Sequence, residues 1–488
     1  MQTKKDRWQE DLFVSGPLSS LVPEDHLFKR VDKVLDFSWL HDAVRGCYCQ
    51  DNGAPSVDPE LALRLMLAGF FEGIVQDRKL MRRAQTDLAF RWFAGLRLDE
   101  KLPDRSSLTR IRQRWGEELF RAVFDRTVKQ CVAAGLVNTD TVHIDATLIR
   151  ADVSWESVTT RHVDEVLDAN REEEGASDDG DPPRRARGRS RSNKPKKYSP
   201  TDPDATLATS SKHSRLAPAY KQHTAVEDHS GVIVDVTVTT GEVNEGKLLL
   251  EQIERIEAHT ENTVKAVTCD AAYAHPANYK SLEERHTDAV IPPQRPATRK
   301  KGNQRIPARR FKYDTHNDRV TCPAGKHLQR STYVASRNGA IYRARPSDCA
   351  ACPLRARCFS STAKARTVLI GEAYTALLRA RRRKEKGWDE TTREKYTRHR
   401  WRVEGVHGRS KTQHGLGRAA RRGLANVRVQ SYLTAAVMNL KHLATTLDAV
   451  QRRITHSLRP TGTPKPTLYA LLDWWMSFYP RIQTTAAA

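Results

Sequence analysis

Three acids stand out for their settings. Asp145 lies inside the β-branched, apolar run Thr139-Asp-Thr-Val-His-Ile-Asp-Ala-Thr147, and Asp270 directly follows the apolar run Val264–Cys269. A carboxylate at the end of an apolar strand must be held by a metal, a cation or hydrogen bonds, because desolvation disfavours its charge. Two such acids on neighbouring strands would repel each other. A divalent cation resolves that repulsion, and oxygen-only ligation selects Mg²⁺ or Mn²⁺. Taken singly, each Asp has an ordinary alternative as a turn or cap residue. Glu404 belongs to Tyr396-Thr-Arg-His-Arg-Trp-Arg-Val-Glu-Gly-Val-His-Gly-Arg-Ser-Lys411, which reads as helix despite Gly405 and Gly408. Arg400 lies four residues before it and Lys411 seven after, so the three share one helical face. That pattern is either a surface ion-pair ladder or a metal ligand beside phosphate-binding cations. His143 and His407 flank two of the acids but read as packing or hydrogen-bonding groups, since hard Mg²⁺ rarely takes imidazole.

A second cluster is made of sulfur. Cys322, the pair Cys349-Ala-Ala-Cys352 and Cys358 all fall between Asp270 and Glu404. They have the thiolate count of a closed structural Zn²⁺ site, with irregular gaps. The alternative is four reduced thiols without metal. Cys47, Cys49, Cys131 and Cys269 read as ordinary buried thiols.

The elements that must position these residues change character along the chain. Before residue 136 the pattern is helical. Asp58-Pro59 opens one helix, Asp77 to Gly95 forms another candidate, and Pro103-Asp-Arg-Ser-Ser107 caps Leu108–Trp115, whose outer face is expected to carry Arg110, Arg112 and Arg114. A further helix is expected over Glu117–Ala134. Short helices with one basic face suit a DNA-binding module, and equally an ordinary bundle with a solvated charged face. From Thr139 onward strands dominate. Tyr220–Glu227 and Gly231–Thr239 form a hairpin, and strands at Val264–Cys269 and Ala289–Ile291 alternate with helices over Leu248–His259 and Ala277–Arg285. The order indicates an α/β core with a mixed sheet covered by helices. Between the second Asp and the Glu, strands near Arg309–Tyr313, Ser331–Ser336 and Ala340–Ala344 make the cysteine segment β-rich. Residues 171–200 combine an acidic stretch with eight Lys/Arg from Arg184 to Lys197, and read as a disordered, charge-patterned loop. Toward the end, Val429–Leu447 is amphipathic, and Pro464–Pro480 reads as a packing helix or a partner contact.

Composition narrows the function. The 488 residues carry 82 Lys/Arg against 59 Asp/Glu, a formal net charge of +23. From Gly371 to Gln430 alone there are 17 basic and 6 acidic residues. Such an excess argues for a polyanionic partner, most often nucleic acid. No run approaches the roughly 18 apolar residues of a membrane span, and Met1-Gln-Thr-Lys-Lys-Asp lacks the apolar core of a secretory signal. A cytoplasmic location with reduced cysteines is the expectation.

The motifs together resemble the insertion-sequence transposases of bacteria, of the DDE type, in the subgroup with a Tyr-Arg-Glu-Lys signature. The resemblance runs from Val22-Pro-Glu-Asp-His-Leu27 to about Ala444. It takes in Pro55-Ser-Val-Asp-Pro-Glu60, Gly73-Ile-Val-Gln-Asp-Arg78 and Pro103-Asp-Arg-Ser-Ser-Leu108, then His143-Ile-Asp-Ala-Thr147, Thr201-Asp-Pro-Asp-Ala205, Tyr220-Lys-Gln-His-Thr-Ala-Val226, Thr268-Cys-Asp-Ala-Ala-Tyr273 and Val403-Glu-Gly-Val-His-Gly408. The signature's Arg and Lys fall on Arg400 and Lys411, while Tyr396 lies one residue further from Arg400 than the pattern expects. The resemblance implies an RNase H-like catalytic core (136–295 and 371–447) preceded by a helical DNA-binding region (1–135). The Cys-containing β-rich insertion would span 296–370 and a helical tail 448–488. It implies Asp145, Asp270 and Glu404 as catalytic ligands of two Mg²⁺ or Mn²⁺ ions, with Arg400 and Lys411 as phosphate contacts; Arg110, Arg112 and Arg114, from the basic helix face, are the expected DNA contacts of the N-terminal region. It further implies double-stranded transposon-end and target DNA as partner, and a homodimer on that DNA. Catalysis would comprise cleavage and strand transfer after binding terminal inverted repeats. The alternative is a domesticated, catalytically inactive DNA-binding protein.

Overall fold

The computed structural model describes residues 16–49, 56–153, 159–161, 196–199, 201–208, 217–294, 306, 308–335 and 338–457. They form two compact units. The first comprises residues up to Val243, Gln252–Val264 and Arg398 onward, and the second Asn244–Glu251 and Lys265–Thr397. This partition follows packing rather than chain order, and the proposed core segments fall on both sides of it.

The first unit begins with helices α1 (Leu27–Asp32), α2 (Leu40–Val44), α3 (Pro59–Phe71), α4 (Asp77–Thr86), α5 (Leu88–Ala94) and α6 (Arg105–Ala133). Their starts are chemically marked. Asp58 accepts the Leu61 N–H with Pro59 at the first helical position, and Asp104 accepts the Ser106 N–H. The two helices expected around residue 116 meet at Gly116, whose φ of 72° breaks α6 as a side-chain-bearing residue rarely could. Strands β1 (Val142–Arg150), β2 (Thr159–Arg161), β3 (Lys196–Tyr198), β4 (Thr206–Ala208), β5 (Ala217–Glu227) and β6 (Ile233–Thr240) follow. β5 pairs antiparallel with β1 along one edge and with β6, then β4, along the other. The β5–β6 turn is held by the buried Glu227 carboxylate, which accepts the N–H groups of His229, Ser230 and Gly231. Helix α7 (Leu249–Thr260) comes next in the chain. One core joins Phe28, Phe90, Phe93, Phe120 and Phe124 of the helices to Val226, Ile233 and Val236 of the sheet, and to Leu433, Ala436 and Val437.

Within the proposed disordered loop, residues 171–195 and Pro200 lie outside the described residues. Its last part does not fit that reading: Lys196–Tyr198 is strand β3, paired antiparallel with β2. Backbone pairing here requires only register, which the charge pattern of the loop conceals.

In the second unit, β7 (Ala266–Thr268) and β8 (Asp288–Val290) are parallel and joined through α8 (Pro276–Glu284). A five-stranded antiparallel meander then runs β9 (Lys312–Asp314), β10 (Arg319–Thr321), β11 (His327–Val334), β12 (Gly339–Arg343) and β13 (Thr367–Gly371). Sequence patterning showed three of these strands. The other two were not read from sequence: β10 has only three residues, and β13, Thr367-Val-Leu-Ile-Gly371, is a brief apolar run without alternation. Short helices α9 (Pro346–Ala350) and α10 (Arg355–Cys358) sit in the β12–β13 connection, and α11 (Tyr374–Lys386) follows. Helix α12 (Glu390–Gln413) carries Glu404, and α13 (Leu424–Ser457) ends the described chain. Residues 458–488, with the Pro464–Pro480 segment, lie outside the described residues. Among the described residues no helix is long and apolar enough to cross a membrane.

Candidate active site

Alternation along β1 puts His143, Asp145 and Thr147 on one face, and α12 lies along that face. His399, Val403, His407 and Lys411 recur every four residues and turn toward the strand. The His143 and His399 rings stand 5.8 Å apart, His407 Nδ1 lies 4.0 Å from an Asp145 oxygen, and Lys411 Nζ donates to Thr147 Oγ1 at 2.6 Å. Four residues of helix rise about 6 Å and two of strand about 6.6 Å, so steps at the Asp145 end stay matched. The far end of α12 is fixed too. Gly73 and Gly415 bring two backbones so close that a Cβ on Gly73 would lie 2.5 Å from the Gln413 carbonyl oxygen. His414 Nδ1 bonds the Phe70 carbonyl at 2.8 Å.

The Asp145 seat is low in mobile charge. His407 is buried, and burial above all, with Lys411 and His399 adding to it, pushes its pKa down to about 3. Its contact with Asp145 is therefore that of a neutral ring, not an ion pair. Its Nε2 is hydrogen-bonded to Thr224 Oγ1 at 3.1 Å, and Thr224 is the β5 residue directly opposite Asp145. Lys411 is half-buried, and burial followed by the Arg150 charge lowers its pKa. His143 is buried and bonded to Asp228 at 2.9 Å, and Asp228 also takes Arg398.

Glu404 sits about a quarter-turn around α12 from this seam. Its side chain is 62 % exposed and pairs with Arg400, 81 % exposed, at 3.3 Å. The expected common face is thus split: Arg400 and Glu404 face water, and Lys411 faces β1. Asp270 belongs to the second unit. It lies two residues past β7 and caps a 3₁₀ turn, Ala271–Tyr273, accepting the Ala272 N–H at 2.7 Å. The cap role that the sequence left open for this residue is present, and it engages one of the two carboxylate oxygens.

Carboxylate donors on Asp145, Asp270 and Glu404 suit a hard divalent cation in chemical type. Among the described residues, however, no group of three or more His, Cys, Asp or Glu side chains stands gathered as a metal shell. The same holds for the cysteines. Cys349 and Cys358 are buried in the small core of the meander with Phe311, Val320, Leu328 and Tyr342, and Cys322 packs against it. Burial raises the Cys358 thiol pKa, and its cysteine neighbours Cys349, Cys322 and Cys352 push the same way. Four thiols share one neighbourhood without closing around a point.

The N-terminal arginines divide. Arg110 is exposed and bonds Ser106, and Arg114 is exposed over the Tyr48 ring at 4.9 Å. Arg112 is not on the outer face. It is 5 % exposed and is paired with Asp77, which also takes Arg421 at 2.7 Å. Positions 108, 111, 112 and 115 form the inward stripe of α6, so the guanidinium is carried into the core, where burial lowers its pKa to about 10. A charged site that the sequence reading missed is Asp235 on β6. It is fully buried and bonded to Arg121 at 3.0 Å, to Arg255 at 3.0 Å and to Gln252. Alternation gave no signal for it, since it groups Asp235 with Thr237 and Thr239 on the face opposite Val234, Val236 and Val238.

Two parts of the chain match known families. Residues 17–114 match a transposase domain, DUF772, and residues 321–444 match a transposase DDE domain. The first match holds helices α1–α5 and the start of α6 with Arg110, Arg112 and Arg114; the second holds the four clustered cysteines and the α12 residues Arg400, Glu404, His407 and Lys411. Asp145 and Asp270 lie between the two matches. Among solved structures, the chain is similar to a piggyBac transposase synaptic complex with hairpin DNA, at 11 % identity and a TM-score of 0.31, covering 95 % of this chain and 86 % of that one. No curated protein matches the sequence.

Proposed function

We propose that the protein is a DNA transposase of the DDE type, cleaving the ends of an insertion sequence and joining them to target DNA. The DDE domain match over the helix that carries Glu404, with Asp145 seated one seam away, is the observation that carries this reading. We take Asp145, Asp270 and Glu404 as the catalytic acids and the holders of Mg²⁺ or Mn²⁺. The antiparallel β1-β5-β6 meander followed by the parallel β7–α8–β8 crossover supports an RNase H-like core.

Bound metal would activate a water or 3′-hydroxyl oxygen and screen the phosphate charge. The chain's own groups do the rest. Thr224 and the neutral His407 ring hold position beside Asp145 without adding a competing charge. Lys411, anchored on Thr147, keeps its cation beside the Asp145 strand. Arg400 can exchange Glu404 for a phosphate, which its fork binds bidentately. Attack by water or a 3′-oxygen needs no covalent enzyme intermediate, so no Ser, Tyr or Cys nucleophile is required. The exposed Arg110 and Arg114 are proposed as contacts to terminal inverted repeats, with two copies of the chain acting on paired ends in the bacterial cytoplasm.

Purified protein incubated with labelled end DNA and Mg²⁺, Ca²⁺ or EDTA tests the reading. Mg²⁺-dependent nicking is expected. Asp145→Asn, Asp270→Asn and Glu404→Gln should each lower it by about 10²-fold or more while DNA binding persists, because each removes charge from the reacting centre and little shape. Binding without metal-dependent nicking would leave a DNA-binding protein derived from a transposase. We also propose that Cys322, Cys349, Cys352 and Cys358 hold a structural Zn²⁺, their thiolates being the donors a soft site requires. Elemental analysis should find about one zinc per chain, lost in Cys352→Ser. Zinc-free, reduced, active protein would defeat this.

A further inference from the structure

The second unit contains a cleft of about 550 Å³ that none of the proposed catalytic groups uses. One wall is a single face of α11, where Leu378, Arg381, Arg382 and Glu385 recur at helical spacing. The facing wall comes from the start of β9 and the turn before it, with Arg310, Lys312 and Tyr313. Lys384 also lines it, its ammonium 3.4 Å from the centroid of the Trp388 ring. Five cations thus share the cleft with one carboxylate, that of Glu385.

The other side of α11 shows what happens where acids are within reach. Arg379 forks onto Glu283, and Arg383 pairs with Asp288 and Thr392. By contrast Arg310, Lys312 and Arg382 are exposed, and among the described residues their side chains make no hydrogen bond or ion pair. In the sequence itself, Gln294 to Lys312 has eight Lys/Arg and no Asp/Glu. Like charges concentrated in a concave site raise the local potential and destabilise one another unless a polyanion occupies it. Repeated phosphates meet that demand, and guanidinium forks match phosphate oxygens.

We propose that this cleft binds the phosphodiester backbone of duplex DNA, clamping it independently of base sequence. The choice of DNA among polyanions rests on the transposase reading. Contacts of this kind position a duplex without specifying bases, so the cleft would add affinity on transposon-end and unrelated DNA alike.

The test is fluorescence anisotropy of the full chain on a random-sequence duplex over a range of salt concentrations, comparing wild type with the triple variant R310A/K312A/R382A. Each lost phosphate contact should reduce the slope of log K against log salt by about 0.9, giving a slope shallower by about 2.7. Affinity at low salt should fall by about tenfold or more. The melting temperature should stay unchanged, since the three side chains are exposed. Equal slopes and affinities for the two proteins would overturn the proposal. If wild type nicks end DNA with Mg²⁺ while those slopes agree, the cleft alone is wrong. If wild type neither nicks nor binds duplex DNA, the transposase reading falls and the cleft's assignment with it.

Discussion

The N-terminal helices and α11 are both rich in arginine, yet they treat it in opposite ways. In the helical region Arg112 and Arg421 converge on Asp77, and deeper in the same unit Arg121 and Arg255 converge on Asp235. In the α11 cleft, Arg310, Lys312 and Arg382 face water. A count of basic residues therefore does not locate a nucleic-acid surface. What decides is whether an acid lies within a side chain's reach once the helices have packed. An arginine committed to a buried carboxylate is part of the fold; one left in a concave surface is available to an external anion.

The largest effect expected from this contrast is at Asp235. Asp235→Ala would leave Arg121 and Arg255 facing each other without their shared acid, and breaking a buried ion pair from one side costs about 3–5 kcal/mol. Chemical denaturation should show a loss of that size; a loss below about 1 kcal/mol would mean the two arginines find water or other partners.

Acid should be next. Burial pushes the pKa of His223 down to about 3 and that of His399 to about 4, well below the ordinary value near 6.5. The unfolded chain takes up these protons before the folded one does. Their contribution to stability is thus complete above about pH 6.5 and declines as pH falls toward the folded values. Between about pH 6 and 5 each contributes a decline of up to about 1.4 kcal/mol per unit. Melting temperature measured against pH should drop in that window, and His223→Gln should flatten it. A profile flat down to pH 4 would show that the rings are solvated.

A smaller effect separates arginines within one helix. Arg112→Ala should cost about 2 kcal/mol, less than Asp235→Ala because Asp77 keeps Arg421, and should leave the salt slope of DNA binding intact. Arg110→Ala and Arg114→Ala should move stability by no more than about 0.5 kcal/mol. Each should reduce the salt slope by about 0.9 if it touches a phosphate. Finding the pattern reversed, with Arg112 governing binding, would return that residue to the surface.

Much of the local structure was legible beforehand because its signals are local. The β-branched run Val232, Ile233, Val234, Val236 and Val238 marked β6 in its hairpin with β5, and Asp58-Pro59 and Asp104 marked helix starts. The pairing of β2 with β3 was not legible, since strands of three residues carry too little pattern and find each other across a long separation in sequence. Arg112 was misread for a related reason. Its neighbours Arg110 and Arg114 suggested an exposed face, while the inward stripe of Leu108, Ile111 and Trp115 already included its position.

By itself the sequence determined the acids and their order, the basic surplus, the four clustered cysteines and the helix-then-strand succession, because composition and short-range periodicity are properties of neighbours along the chain. Only the tertiary structure decided how each charge is employed. It set Asp145 beside a neutral His407, made Asp270 a cap, left Glu404 facing water with Arg400, and turned Arg112 inward while leaving Arg382 outward. The electrostatic energy of a charged side chain depends on burial and on partners brought from distant sequence positions, and those are known only when the chain has folded.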